Sequence, residues 1–205
     1  VSDTSLADQL GALAQEANRV VPVHCKVDTG MGRQGFPLEE ALNAIQYITR
    51  ITRVDIQGIC THFPCADIID DPFTLDQIKA FKQLLKKIEK LGVPYETAHA
   101  ANSAAILNYR ESVFDSVRPG LMTYGIWPSD AGIGSPPLKR VLRWETRIVQ
   151  VRQMPVGASV GYNRSGTAYR PTRTAILPVG YADGYKHQLG NKAYVLIRGK
   201  RCPVR

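Results

Sequence analysis

Along the first two-thirds of the chain, apolar residues recur at helix spacing and strand spacing in turn. In "SLADQLGALAQEAN", Leu6, Leu10, Leu13 and Ala17 fall on one helical stripe. "VVPVHC" reads as a buried strand, and "PLEEALNAIQYI" returns to helical spacing through Leu38, Leu42, Ile45 and Ile48. "VDIQGICTHF" is the next strand. "TLDQIKAFKQLLKKIEKLG" then carries Leu75, Ile78, Phe81, Leu85, Ile88 and Leu91 on one helical face. Thr74 and Gln77 read as a capping box at its start, and Gly92 as its stop. "YETAHA" is a short strand leading into a helix start in "NSAAILNY", and "FDSVRPGLMTYG" repeats the strand-to-turn pattern. Successive strand–helix units call for parallel strands, in a barrel or in an open doubly wound sheet.

From about Arg140 the pattern changes. "LRWETRIVQVRQM", "RTAILPVGYA" and "KAYVLIRGKRCPV" are β-branched, roughly alternating segments separated by Gly, Pro and Asn, which is all-β organisation. The Gly- and Pro-rich "GIGSPPLKR" marks the change, giving an α/β domain over 1–133 and a β-rich domain over 134–205. About four βα units are visible, against about eight in a closed barrel. The chain opens at Val1 without an initiator methionine and stops at Arg205 among strands, so an internal piece of a longer protein is expected.

Composition narrows the classes. With 205 residues, 44% of them hydrophobic, the chain can bury a substantial core. No apolar run approaches the roughly 20 residues of a membrane span. Cys25, Cys60, Cys65 and Cys202 show no paired spacing, which suggests reduced thiols and a cytoplasmic protein. The net charge of +8 raises a nucleic-acid reading. Much of it, however, lies on one helix face through Lys79, Lys82, Lys86, Lys87 and Lys90, with no interleaved aromatics and no groove-reading motif. A solvated face accounts for it, and a basic field still favours small anionic ligands.

Unusual polar residues gather where strands end: Lys26 to Arg33 in "KVDTGMGRQG", then His62, Asn102 with Ser103, and Arg118. Parallel strands bring such residues to one end of a sheet, which points to an enzyme. Asn102 and Ser103 open a helix, where backbone N–H groups suit a phosphate; an ordinary N-cap is the alternative. Gly120 in "VRPGLMTYG" offers a second close backbone approach to an anion. Cys60, His62 and Cys65 lie near one another but complete no tetrahedral set, so no metal is expected. His62 could equally be a satisfied core histidine. Tyr162 and Tyr181 follow glycines in the β-rich part, as packing residues or as proton-transfer groups.

Taken in order, "KVDTGMGRQG", "THF", "HAANSAA", "VRPGLMTYG", "VGYNRSGTA" and "PVGYADGY" resemble bacterial alanine racemases, across essentially the whole chain. The resemblance implies an α/β fold, part of a parallel (β/α)8 TIM-type barrel followed by a mostly-β C-terminal domain. It implies pyridoxal 5′-phosphate as cofactor, interconversion of L- and D-alanine for peptidoglycan, and a homodimer with active sites shared between subunits. Tyr162 would be the base toward L-alanine, with His62 bonded to it and Arg118 at the pyridine nitrogen. Ser103, Gly120 and Leu121 would contact the phosphate. Arg33 would face the substrate carboxylate, oriented by a carbamylated Lys26, and Tyr181 would narrow the entrance. A salt bridge from unmodified Lys26 to Asp28 is the plainer account of that turn. The family's Schiff-base lysine would lie upstream of Val1, leaving the isolated piece inactive. Pro64 and Cys65 depart from the small residues usual at their positions. Serine racemisation and a non-catalytic cofactor-binding barrel are the alternative functions; the second would lack the β-rich part and Tyr162.

Overall fold

A computed structural model of the protein describes residues 1–129 and 137–205. They form two compact units, Val1–Leu142 and Arg143–Arg205. The expected boundary at 133/134, with the start of "GIGSPPLKR", lies outside the described residues.

The first unit runs α1 (Thr4–Glu16), β1 (Val21–Asp28), β2 (Phe36–Pro37), α2 (Leu38–Ile48), β3 (Val54–Cys60), α3 (Pro72–Lys90), β4 (Thr97–Asn102), α4 (Ser103–Asn108), β5 (Ser116–Arg118) and α5 (Gly120–Thr123). Its strands form one sheet in the order β2-β1-β3-β4-β5, and every pairing is parallel. Helical crossovers explain this for β3, β4 and β5, since each strand must restart from the same end, while β2 follows β1 through the loop of residues 29–35. Val23, Cys25 and Val27 alternate into the core from β1, whereas Ala98 to Ala101 are buried consecutively along β4. Ile45 and Ile48 of α2 and Phe81 and Ile88 of α3 are fully buried in the same apolar cluster. Phe81 meets Phe114 edge-on, with ring centroids 5.2 Å apart.

Two helices differ from the sequence expectation. The buried face of α1 is Ala7, Gly11 and Ala14, while Leu6 and Leu13 are exposed. Close packing selects the small residues: a Cβ on Gly11 would lie 2.4 Å from Ile51 Cγ2. Helix α3 starts three residues earlier than its apolar pattern, with Pro72 in the first turn and Asp71 as the cap. The Asp71 carboxylate accepts from the Thr74 N–H and hydroxyl, both at 2.8 Å. Thr74 and Gln77 are therefore not a capping box; both are buried within the helix, and Leu75 and Leu91 are exposed.

The second unit is built from short strands: β6 (Gln150–Met154), β7 (Ser159–Val160), β8 (Gly166–Thr167), β9 (Thr172–Ile176), β10 (Tyr194–Ile197) and β11 (Lys200–Pro203). They pair antiparallel as β6–β9, β7–β8 and β10–β11. Arg198 and Gly199, at φ of 49° and 75°, make the two-residue turn of the last hairpin. Positive φ at both positions is what a tight hairpin twist needs.

Candidate active site

Because β1, β3, β4 and β5 are parallel, their carboxyl ends deliver side chains to one edge of the sheet. The register aligns Lys26 with Cys60, Cys60 with His99, and Asn102 with Arg118. Arg118 is the hub. Its Nη2 donates to the Thr61 carbonyl at 2.6 Å and the Ala100 carbonyl at 3.0 Å, and lies 3.3 Å from His62 Nδ1. Its Nη1 meets His99 Nδ1, and His99 Nε2 lies 2.7 Å from His24 Nδ1.

A guanidinium can only donate, and this fixes the His99 imidazole. His99 Nδ1 must accept, so its proton sits on Nε2 and is given to His24. The two Nη2 hydrogens already serve the Thr61 and Ala100 carbonyls, so His62 Nδ1 lies beside the guanidinium at 3.3 Å without fixing its own tautomer. Burial lowers the His62 pKa, and Arg118, Arg33 and Lys26 lower it further. Burial, then Arg118, then His24 bring His99 down to about 4. Burial also lowers Arg118 itself, partly offset by Cys60.

The loop after β1 is shaped by Asp28. Its Oδ1 accepts from Gly30 N at 2.8 Å and Met31 N at 2.7 Å. Burial alone would raise this carboxyl, but the N–H groups of Gly30, Met31, Gly32 and Arg33 outweigh it and the net shift is downward. Among the described residues, Lys26 makes no ion pair with Asp28; the pairs are Lys82–Glu111 and Arg143–Glu145. Gly35, at φ of 124°, is obligatory, since a Cβ would sit 2.7 Å from Asp28 N and 2.8 Å from Val27 C. Arg33 is exposed on this loop.

At the other side, Asn102 caps α4, its Oδ1 accepting from Ala105 N at 3.0 Å. Ser103 is buried, and its hydroxyl accepts from Met122 N of α5 at 3.1 Å. A cavity of about 290 Å³ is lined by His62, Asp67, Asn102, Ser103, Ala104, Leu121 and Pro128. A Cβ on Gly120 would meet nothing within 4 Å, so open space adjoins the start of α5.

The candidate residues divide between the units. His62, Ser103 and Leu121 line one cavity, and Arg118 contacts His62 directly. Tyr162 and Tyr181 belong to the second unit, at 82% and 59% exposure. Tyr162 follows Gly161 (φ 83°) and precedes Asn163 and Arg164, both in the left-handed region at 54° and 50°. Tyr181 stacks at a tilt on His187, with centroids 5.3 Å apart. Sequence reasoning missed His24, His99 and Thr61. His99 stands within "HAANSAA", and a histidine in each of two apolar strands was the available signal.

Residues 1–128 match the family model for the alanine racemase N-terminal domain, and residues 141–205 the model for the C-terminal domain. The chain belongs to the alanine racemase family. It is 42% identical over 196 residues to the alanine racemase of Halothermothrix orenii, covering 96% of this chain and 52% of that protein. Among solved structures, it resembles the Bacillus anthracis alanine racemase with bound L-Ala-P at TM-score 0.86 and 27% identity, covering 99% and 53% of the two chains. It resembles the Bartonella henselae alanine racemase with covalently bound pyridoxal phosphate at TM-score 0.79 and 30% identity, covering 98% and 54%. The chain thus spans about half the length of the relatives it matches. The parallel sheet is part of an α/β barrel, followed by a β domain.

The residues present suit a pyridoxal phosphate. The Ser103 hydroxyl and the N–H groups of Gly120 and Leu121 at the start of α5 can donate to a phosphate, the Met122 N–H being given to Ser103. With Thr61, Ala100 and His99 served, Arg118 retains its Nε–H and a second Nη1–H for an acceptor such as a ring nitrogen.

Proposed function

We propose that the complete protein interconverts L- and D-alanine with pyridoxal 5′-phosphate, in the cytoplasm, as a homodimer. The observation that carries this reading is Arg118, a permanent donor beside a cavity lined by Ser103, Leu121 and His62. The cofactor, when bound, supplies an electron sink that makes the α-proton of an amino acid acidic.

The chain's own residues then hold and move that proton. Tyr162 takes the α-proton of L-alanine on its phenolic oxygen; its exposure and its turn suit a side chain presented to a second copy's barrel. His62 stays neutral and gives its Nε2–H to that oxygen, which favours the phenolate. Arg33 meets the substrate carboxylate, and a carbamylated Lys26 turns a like-charge neighbour into an attractive one. The absence of a Lys26–Asp28 pair among the described residues leaves Lys26 available for that modification. Ser103, Gly120 and Leu121 hold the phosphate, and Tyr181 narrows the entrance. Arg118, which can only donate, would offer a hydrogen bond to the ring nitrogen and so favour its unprotonated form.

Chiral chromatography of L-alanine and L-serine incubations with the complete protein tests the reading. Alanine should be converted at least tenfold faster; an equal or greater rate on serine would make serine the substrate.

A further inference from the structure

Gln77 sits in the first half of α3, only 2% exposed, yet its side chain reaches the site loops rather than the helix start. Its Nε2 donates to Thr29 Oγ1 at 3.1 Å and approaches the His62 carbonyl at 3.4 Å. Thr29 Oγ1 in turn lies 2.7 Å from Thr61 Oγ1. Phe73 and the Gln77 amide close against Gly30, where a Cβ would fall 2.5 Å from Phe73 Cζ and 3.3 Å from Gln77 Nε2. Among the described residues, the Oε1 of Gln77 is buried without a partner. A half-satisfied buried amide costs stability, so the fold alone gives no reason for it.

We propose that Gln77 is a positioning residue that sets the distance between the loop after β1 and the Thr61–His62 turn. The turn is held from two sides: Arg118 takes the Thr61 carbonyl at 2.6 Å, and Gln77 takes the carbonyl of the next residue. The loop is held through Thr29, one residue from the Asp28 carboxylate that organises Gly30 and Met31. Gln77 thereby fixes His62 against Arg118, and indirectly the path of the chain to Arg33. The kinetic part of this inference rests on the racemase reading; the geometric part does not.

The test uses the complete protein with Gln77→Met, which keeps shape and removes both amide atoms, and Thr29→Val, which removes the acceptor at the far end. His62 is titrated by NMR in cofactor-free protein, and alanine kinetics are measured in the loaded enzyme. Both variants should let the His62 pKa rise toward its ordinary value. Each should lower kcat/KM about tenfold, mostly through KM, and Gln77→Met should leave Tm nearly unchanged. The double variant should shift His62 no further than either single one. Unchanged His62 titration in both variants overturns the proposal. So does an equal shift in Ile78→Val, a core change on the same helix, since general loosening would then explain it. If the wild-type protein does not racemise alanine, the racemase reading fails while the His62 titration still decides the role of Gln77.

Discussion

The imidazoles of His24 and His99 meet across an intervening strand, with Nδ1 of one 2.7 Å from Nε2 of the other. They stand on β1 and β4, and β3 runs between them. The contact is possible because His24 pairs in register with Gly58, which has no side chain to block it. A Cβ there would lie 2.4 Å from His24 Nδ1. The pair continues through His99 to Arg118, so a residue far back on β1 helps orient the guanidinium at the site.

Burial of His99 beside Arg118 makes stability depend on pH. The unfolded chain protonates His99 near 6.5, but the folded chain resists until about 4. Between those values the unfolded state binds more protons, so stability rises with pH. It should be complete above about 6.5 and fall as pH drops toward 4. His99→Gln offers an acceptor and a donor without titrating. Denaturant unfolding at pH 7 and pH 4.5 should show a shallower loss for the variant than for the wild type.

Two glycine substitutions should behave differently. Gly58→Ala forces the His24 ring aside and should cost about 1–3 kcal/mol by thermal unfolding. Gly120→Ala meets no atom within 4 Å and should change stability by less than about 0.5 kcal/mol. In the complete protein, however, it should weaken pyridoxal phosphate binding in a fluorescence titration. A large stability loss at Gly120 would place that residue in the packing rather than at the phosphate.

In the proposed mechanism, Tyr162→Phe in the complete protein removes the base from one face only. Primary isotope effects measured in both directions should rise for L-alanine far more than for D-alanine. Because Tyr162 is 82% exposed in its own unit, the same change should leave Tm nearly unaltered. Equal isotope effects in the two directions would remove Tyr162 from the proton path.

Much of this site was legible in the sequence, for a directional reason. Strand–helix alternation fixes all strand directions alike, so the ends bearing Lys26, His62, Ser103 and Arg118 had to converge. Side-chain partnerships depended on register, which hydrophobic spacing does not reveal. His24 sits in an ordinary apolar strand, and only its alignment with Gly58 shows that it reaches His99. Gln77 was misread because its spacing from Thr74 fits a capping box; the true cap, Asp71, precedes a proline that the apolar stripe does not include. The face of α1 was misassigned for the opposite cause. Leucines dominate a hydrophobic pattern, but close approach to Ile51 selects Gly11 and its alanine neighbours.

The most direct test follows L-alanine in D2O with the complete, cofactor-loaded protein, recording circular dichroism and the α-proton signal together. The account predicts that the optical signal decays to zero as α-deuterium enters both enantiomers, and that Tyr162→Phe slows this loss. Bound cofactor with a persisting optical signal would contradict it, because the groups gathered around Arg118 would then serve some other chemistry.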